Sequence, residues 1–586
     1  MLRRASARKW PLADIRRKYL PYVPLVAALG LLASLLEGAG IGLFIPLLAL
    51  LMAEPAQMPH LLGKLMALFP SGSVREQTIL LGAAILGLIL LKNLILALNG
   101  RLLAALGARI GADVRNGLAR TLLSVDYPFF LEHDLARLTR IMATDSWFVV
   151  EAARSALALI PAAASLIVFG LLLAYLNLKL FLLVLLGAAC IQALIYLFEQ
   201  RQGRLGHEFT ASSEALWQRL LTLLQAPRVV RLFGQEAREQ ERSEAAIERL
   251  KRSLRASSSL TAFIHPAVDA LLALLFVTVL LAGYWGGMSV PAITAFLLLL
   301  TRTQAPARTI SQSRLGIASF EASLREVEWL LSQAGQPADD AQQDDAPRLD
   351  RPIAFDEVSF AYPNGTHALD RVTCTIEPGV ATALLGESGA GKSTLVNLLC
   401  RLVEPQSGCI RLGETSVRDL RPELWRSRIA VAGQDNELVG GTVAENIAYG
   451  RPDASFADLE AVARAAGAHD FIAALPHGYD TPVGPTGLGL SGGQRQRIGV
   501  ARALLLNPDL LIFDEATSAV DALSDREIVK LATEHRHFRT LLIVSHRKTT
   551  VAACEQGIVL ADGRITESGK LANLAYFQQM AGDLGE

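Results

Sequence analysis

Long apolar runs in the first half of this 586-residue chain constrain its fold more than any other feature. The hydrocarbon core of a bilayer takes about 20 apolar helical residues to cross. No water is available there for a backbone N–H or C=O, so such segments must fold as helices that satisfy their own polar groups. The first run covers about Pro21 to Met52, with Glu37 as its only charged residue, and is long enough to project beyond the bilayer. Further runs cover about Thr78–Leu103, Ser155–Leu176, Leu178–Phe198, Ala262–Tyr284 and Val290–Thr303. The third and fourth are separated only by a tight turn near Asn177 and Lys179, so counts of five or seven compete with six. Six keeps both chain ends on one side of the membrane and is the expected number.

The intervening segments orient these spans. The loops after the second and fourth spans are long and rich in Arg, whereas the others are short or carry few basic residues. The positive-inside rule then places both termini and both long loops in the cytoplasm, the expectation for a protein of the bacterial inner membrane. The stretch 53–77 is a polar interruption, within which Leu61–Leu68 reads as a short amphipathic helix at the outer surface. Arg3, Arg4, Arg8 and Lys9 are not followed by a short apolar core and a cleavage site, so a signal peptide is the weaker reading of this end. Formal net charge is zero despite a hydrophobic content of 51% and a mean hydropathy of +0.34. No global basic field points to nucleic acid as a partner.

The long loops keep helical periodicity over Leu106–Leu123 and Ser212–Leu224, so the spans are expected to continue as helices into the cytoplasm. Near their tips lie Tyr127–Glu132 and Ala226–Glu236. Aromatic residues there either dock into another domain or tuck against their own helix. From Ser332 to Arg351 the composition shifts to Gln, Ala, Asp and Pro, which reads as a linker. The expected division is therefore a membrane domain over 1–331, a linker over 332–351 and a second domain over 352–586.

That second domain carries the chemistry. The apolar run Val380–Leu385 reads as a buried strand and Leu395–Leu402 as a helix. Between them stand Gly386, Glu387, Ser388, Gly389, Ala390, Gly391, Lys392, Ser393 and Thr394. A strand, a glycine-rich loop and a helix form a phosphate cradle: backbone N–H groups point inward and the helix N-terminus adds partial positive charge. Lys392 supplies a full charge for the outer phosphates of a polyphosphate, and the Ser393 hydroxyl can bind Mg²⁺. Downstream, Ser491, Gly492, Gly493 and Gln494 open another helix and offer a second phosphate-binding end. Leu510–Glu515 is an apolar strand ending in two carboxylates. Asp514 is placed to hold Mg²⁺, and Glu515 to orient or deprotonate an attacking water. His546 ends the apolar strand Thr540–Ser545, where it can reach a γ-phosphate. Tyr362, in a turn after the strand Ile353–Phe360, can stack on adenine. The segment Val443–Leu490 is mostly helical and reads as an insert in an α/β core. Of Cys190, Cys374, Cys400, Cys409 and Cys554, four lie in this half and none shows paired metal spacing, which points to a reduced compartment.

Together these residues make the chain resemble the type IV ABC exporters, in which a six-span helical membrane domain is fused to an α/β P-loop ABC ATPase domain. By that resemblance Gly386–Thr394 is the Walker A loop, Leu510–Glu515 is Walker B and Ser491–Gln494 is the ABC signature. The same resemblance makes Tyr362 the adenine-stacking aromatic, Gln434 the Q-loop glutamine and a Mg²⁺ ligand, Asp521 the D-loop aspartate and His546 the switch histidine. The segments Tyr127–Glu132 and about Ser213–Leu224 resemble coupling helices. One departure is Gly484-Pro485-Thr486-Gly487, with Pro485 where the family usually has a glutamate. No fused N-terminal peptidase is visible, so a leader-cleaving exporter is disfavoured. The resemblance implies a homodimer in which Walker A of one copy and the signature of the other share each ATP. The implied activity is ATP-driven export or flipping of an amphipathic substrate. A lipid or lipid-linked cargo is favoured over a small modified peptide or drug. A non-transporting ATP-gated channel or regulator is the rival class, and the presence of both Glu515 and His546 favours turnover.

Among the charged residues in or just beyond the apolar runs, Glu37, Lys92, Asp269, Arg302 and Arg308 are the candidate pathway residues. A charge there marks a substrate pathway by default. Counted from Val290, Arg302 lies about 18 Å along its helix, near mid-membrane. The alternative is internal pairing, of Glu37 with Lys92 and of Asp269 with an arginine at similar depth.

Overall fold

The computed structural model describes residues 17–52, 73–333, 347–362, 365–433, 438–484, 489–514, 540–545 and 547–582. The expected surface helix Leu61–Leu68 lies outside them. The chain divides into two compact units, Met1–Ala119 with Thr139–Ser332, and Arg120–Leu138 with Gln333–Glu586.

The first unit is a bundle of long helices. Val23–Gly42 follows a short turn with Pro in its opening residues and continues as Phe44–Met52. Val74–Ser124 runs 51 residues, Leu178–Gln225 runs 48 and Glu236–Trp285 runs 50. At 1.5 Å per residue each is about 70–77 Å long, more than twice the ~30 Å hydrocarbon core. The spans therefore do continue as helices well beyond the membrane. Among the described residues, five helices are long and apolar enough to cross it, within Arg17–Leu51, Val74–Ser124, Leu135–Leu176, Leu178–Tyr196 and Ala262–Trp285. The sixth expected span begins the helix Val290–Ser319. Its apolar stretch stops at Leu300, and Arg302, Gln304 and Arg308 follow, which lowers its overall apolarity. That apolar part is nevertheless central to the bundle. Phe296 and Ala295 are fully buried, and Phe296 shares a cluster with Phe169, Leu173, Val184 and Val279.

The turns between long helices sit where proline allows. The short helices Tyr127–Glu132 and Pro227–Leu232 each carry Pro at their opening positions, where its missing N–H costs nothing. The second tip is thus Pro227–Leu232, within the expected Ala226–Glu236, and the coupling helix expected by resemblance at Ser213–Leu224 is not a separate helix. The latter forms the last turns of Leu178–Gln225, because nothing breaks the backbone ladder until Pro227. The first tip lies within Arg120–Leu138, the stretch that groups with the second unit.

Among the described residues the second unit has two large sheets and a two-stranded antiparallel ribbon, β7 (Gly441–Thr442) with β8 (Pro482–Val483). Strands β1 (Ile353–Ala361), β2 (His367–Ile376), β4 (Ser407–Leu412) and β5 (Thr415–Ser416) form an antiparallel sheet in the order β2-β1-β4-β5. The larger sheet has the order β12-β11-β3-β10-β9-β6, with β3 Ala381–Leu385, β6 Ile429–Ala432, β9 Leu510–Asp514, β10 Thr540–Val544, β11 Gln556–Ala561 and β12 Arg564–Lys570. All but the edge strand β12 pair in parallel. Both faces of the central strands β3, β9, β10 and β11 are covered, so these read as unbroken apolar runs, whereas the edge strand β12 is mostly exposed. Alternate residues feed two cores. Leu385, Phe513 and Ile543 join the helical insert, while Leu384, Ile512 and Leu542 join the antiparallel sheet. The insert consists of Val443–Ile447, Phe456–Ala465, His469–Ala473 and Gly492–Leu505.

Candidate nucleotide site and intramembrane charges

The loop after β3 folds as its glycines demand. Gly386 has φ +144° and Gly391 φ +104°, conformations that L side chains rarely adopt. A Cβ at Gly386 would stand 2.1 Å from the Leu560 carbonyl oxygen, and one at Gly391 2.5 Å from that of Ala368. The loop thus lies directly on the backbones of β2 and β11. It is tied there by a hydrogen bond from Gly563 N–H to the Ala390 carbonyl (3.2 Å). Lys392 begins the helix Lys392–Leu399 and is buried. Its ammonium reaches back to donate to the carbonyls of Gly386 (2.9 Å) and Glu387 (2.8 Å), closing the loop into a ring. A charge held inside a ring of backbone groups at a helix N-terminus is suited to a polyphosphate.

The neighbouring candidates converge on this loop. The Tyr362 hydroxyl lies 3.1 Å from Thr394 Oγ1, with its ring edge-on to Phe360 at 5.0 Å. Val544 of β10 pairs with Leu384 on one side and Asp514 on the other. Asp514 therefore ends its strand at the level where the phosphate loop begins, two strand spacings or about 10 Å away. The Ser393 hydroxyl and the Asp514 carboxylate are hard oxygen donors, the chemistry Mg²⁺ takes. Behind the loop, burial pushes the thiols of Cys374 and Cys400 up to about 12. Glu515, Gln434, Asp521 and His546 lie outside the described residues, as does Pro485.

Ser491 caps the helix Gly492–Leu505. Its hydroxyl accepts from Gln494 N–H (3.2 Å) while the Gln494 side chain accepts from Ser491 N–H (2.8 Å). Ser491 and Gly492 are both exposed, so this helix start faces outward. The other end of the helix is anchored by residues that sequence reasoning missed. Arg502 donates to the backbone carbonyl and side-chain oxygen of Asn446, each at 2.9 Å. Asn446 is buried, bonds the backbone of Val439 in both directions and donates to the Thr442 carbonyl. The signal was an asparagine flanked by the buried Val443 and Ile447.

In the membrane unit the charged residues are paired. Glu37 stands 3.1 Å from the Lys92 ammonium and 3.3 Å from Arg302 Nε. Arg308 lies 3.4 Å from Asp269. Glu37 and Lys92 meet as anticipated. Asp269 takes Arg308 rather than Arg302, which sits about 9 Å farther along the helix.

Residues 42–306 match the family described as ABC transporter transmembrane region, and residues 369–518 match that described as ABC transporter. The chain is 32% identical over 495 residues to the ATP-dependent lipid A-core flippase of Chromobacterium violaceum, covering 83% of this chain and 84% of that one. The chain belongs to the ABC transporter family. A flippase of the same name from Yersinia pestis is 30% identical over 516 residues, covering 84% and 86%. The structure of a bacterial Atm1-family ABC exporter with ATP bound matches with a TM-score of 0.77 over 97% of this chain and 98% of the other, at 24% identity. That likeness gives the exporter fold. This ABC transporter is thus a half-transporter, one membrane domain fused to one ATP-binding ATPase domain, and its ATPase activity is coupled to transport.

Proposed function

We propose that this half-transporter moves an amphipathic lipid or lipid-linked molecule out of the cytoplasmic leaflet of the bacterial inner membrane, with its ATPase domain in the cytoplasm. The observation that carries this reading is the 30–32% identity to lipid A-core flippases over more than four-fifths of the chain, both halves included. The positive charge at Arg302, in a helix whose apolar part is central to the bundle, supports an anionic head on the cargo. Pairing of Arg308 with Asp269 favours the second reading, a small peptide or neutral amphiphile, because it leaves that arginine a structural partner.

The working unit is a homodimer. The phosphate loop follows β3, whereas the signature helix packs beside β6, three strand spacings or about 14 Å across the sheet. An exposed Ser491 then meets the phosphates held by a second copy's Lys392. The tip at Pro227–Phe233 supports this too: Val229, Leu232 and Phe233 are 55%, 68% and 72% exposed, an apolar surface that a second copy can cover. Within each site Lys392 and the loop N–H groups hold the β- and γ-phosphates, and Tyr362 stacks on adenine. Ser393, Gln434 and Asp514 would hold Mg²⁺, which neutralises charge on the phosphates when bound. Glu515 orients and deprotonates the attacking water, His546 contacts the γ-phosphate and Asp521 lines the dimer interface. The domain boundaries are those read from composition, with 332–351 as the linker.

The test is reconstitution of the purified chain alone in proteoliposomes. ATP-dependent movement of a fluorescent lipid-linked probe between leaflets, abolished by Glu515→Gln, is expected. Transport of peptide with no lipid movement would replace the lipid reading with the second one.

A further inference from the structure

We infer that Glu37, Lys92 and Arg302 form a head-group seat selective for a single negative charge, and that Glu37 sets this selectivity. The inference rests on the reading above that the cargo has an anionic head. Glu37 comes from the helix Val23–Gly42, Lys92 from Val74–Ser124 and Arg302 from Val290–Ser319. Both cations approach the same carboxylate oxygen, Oε1, at 3.1 and 3.3 Å. Two positive charges and one negative leave the cluster at +1, in a region where an unbalanced charge is costly. The neighbouring Arg308–Asp269 pair already sums to zero. The charge imbalance therefore belongs to the Glu37 cluster.

Exposure shows which member meets a ligand. The side chains of Glu37 and Lys92 are 19% and 14% exposed, whereas that of Arg302 is 56% exposed. Arg302 approaches Glu37 through Nε. Its terminal amino groups remain a fork matched to two oxygens of a phosphodiester or carboxylate. A monoanionic head brings the cluster to zero with Glu37 in place. A dianionic head overshoots to −1 unless it displaces Glu37 from two cations. Glu37 thus acts as a specificity-determining carboxylate that rejects the second charge.

The experiment uses the full chain in nanodiscs of zwitterionic lipid at pH 8. ATPase stimulation is measured for three probes with the same alkyl chain: a methyl phosphodiester (monoanion), a phosphate monoester (dianion) and a neutral glycoside. Each rate is normalised to that variant's own basal rate. Wild type should respond to the monoanion at a concentration roughly tenfold or more below that for the dianion, given the cost of one unbalanced charge. Glu37→Gln raises the cluster to +2 and should reverse that ranking. The double variant Glu37→Gln with Lys92→Met returns the count to +1 and should restore the wild-type ranking, which a purely geometric role for Glu37 does not predict. The double variant also keeps the test open if Lys92, left without its carboxylate, destabilises the single variant. A ranking of the two anions that is the same in all three proteins overturns the inference while leaving the anionic-cargo reading intact. Equal stimulation by the neutral and anionic probes in wild type removes both.

Discussion

Replacing Gly391 by alanine should abolish useful ATP binding, and the structure says why this glycine differs from its neighbour Gly389. At φ +104° an alanine pays roughly 1–3 kcal/mol of backbone strain. Its methyl would also stand 2.5 Å from the Ala368 carbonyl oxygen and 2.8 Å from Leu369 Cδ2. The carbonyl is part of strand β2 and cannot swing aside, so the loop must lift by about half an ångström or more to reach ordinary contact. Overpacking of this kind costs about 1–3 kcal/mol more, so strain and contact together come to roughly 3 kcal/mol or more, about 100-fold in affinity. Gly389 has φ +85° but open space where its Cβ would go. Gly389→Ala should therefore show the strain alone, a loss within roughly tenfold. The assay is equilibrium binding of a fluorescent ATP analogue to the full chain in detergent, with thermal melts to separate binding from folding. Gly391→Ala should lose at least about 100-fold in affinity, with a melt close to that of Gly389→Ala. Binding by Gly391→Ala within threefold of wild type, or a larger loss for Gly389→Ala, would refute the contact argument.

Glu515→Gln should retain ATP binding while hydrolysis falls roughly 10²-fold or more. With ATP present it should also accumulate as a dimer by native mass spectrometry of the chain expressed alone. Burial pushes the thiols of Cys374, Cys400 and Cys554 from an ordinary 9.0 up to about 12. The unfolded chain releases these protons from about pH 9 and the folded one does not, so stability should fall as pH rises from 9 towards 12. The slope is up to about 1.4 kcal/mol per pH unit for each thiol. Alanine at all three positions should flatten the melting temperature between pH 8 and 10.5. Asn446→Ala removes the side-chain bonds to Val439, Thr442 and Arg502, while Arg502 keeps its bond to the backbone carbonyl of residue 446. It should cost about 3 kcal/mol, or ~6–12 °C in the ATPase-unit melt.

What the sequence made legible was local. The phosphate loop could be read because strand, glycines, lysine and helix are contiguous, and each glycine has a backbone reason visible in the structure. Strands β3, β9 and β10 of the larger sheet could be read because burial on both faces makes them unbroken apolar runs, whereas β11 and β12 were not read. The second tip could be read at Ala226–Glu236, but the coupling helix was placed short of it at about Ser213–Leu224, because helical periodicity does not mark where a helix ends, whereas Pro227 does. Asn446 and Arg502 are 56 residues apart, and no local pattern announces that their side chains meet.

The intramembrane charges show this limit most clearly, and they also show what it hides. Single-residue reasoning marks Glu37, Lys92, Asp269, Arg302 and Arg308 as costly, and counting helical rise gives their depths. Depth alone made Asp269 and Arg302 a plausible pair, yet which helices face each other decides the partners, and Arg302 joins Glu37. Once the partners are known, the five charges are no longer equivalent. Two cancel, and three leave one positive charge beside an exposed guanidinium. A list of charged residues carries no such remainder. It emerges only when three helices bring their side chains to one carboxylate, and it is the remainder, rather than the number of arginines, that states what kind of head group the membrane domain can stabilise.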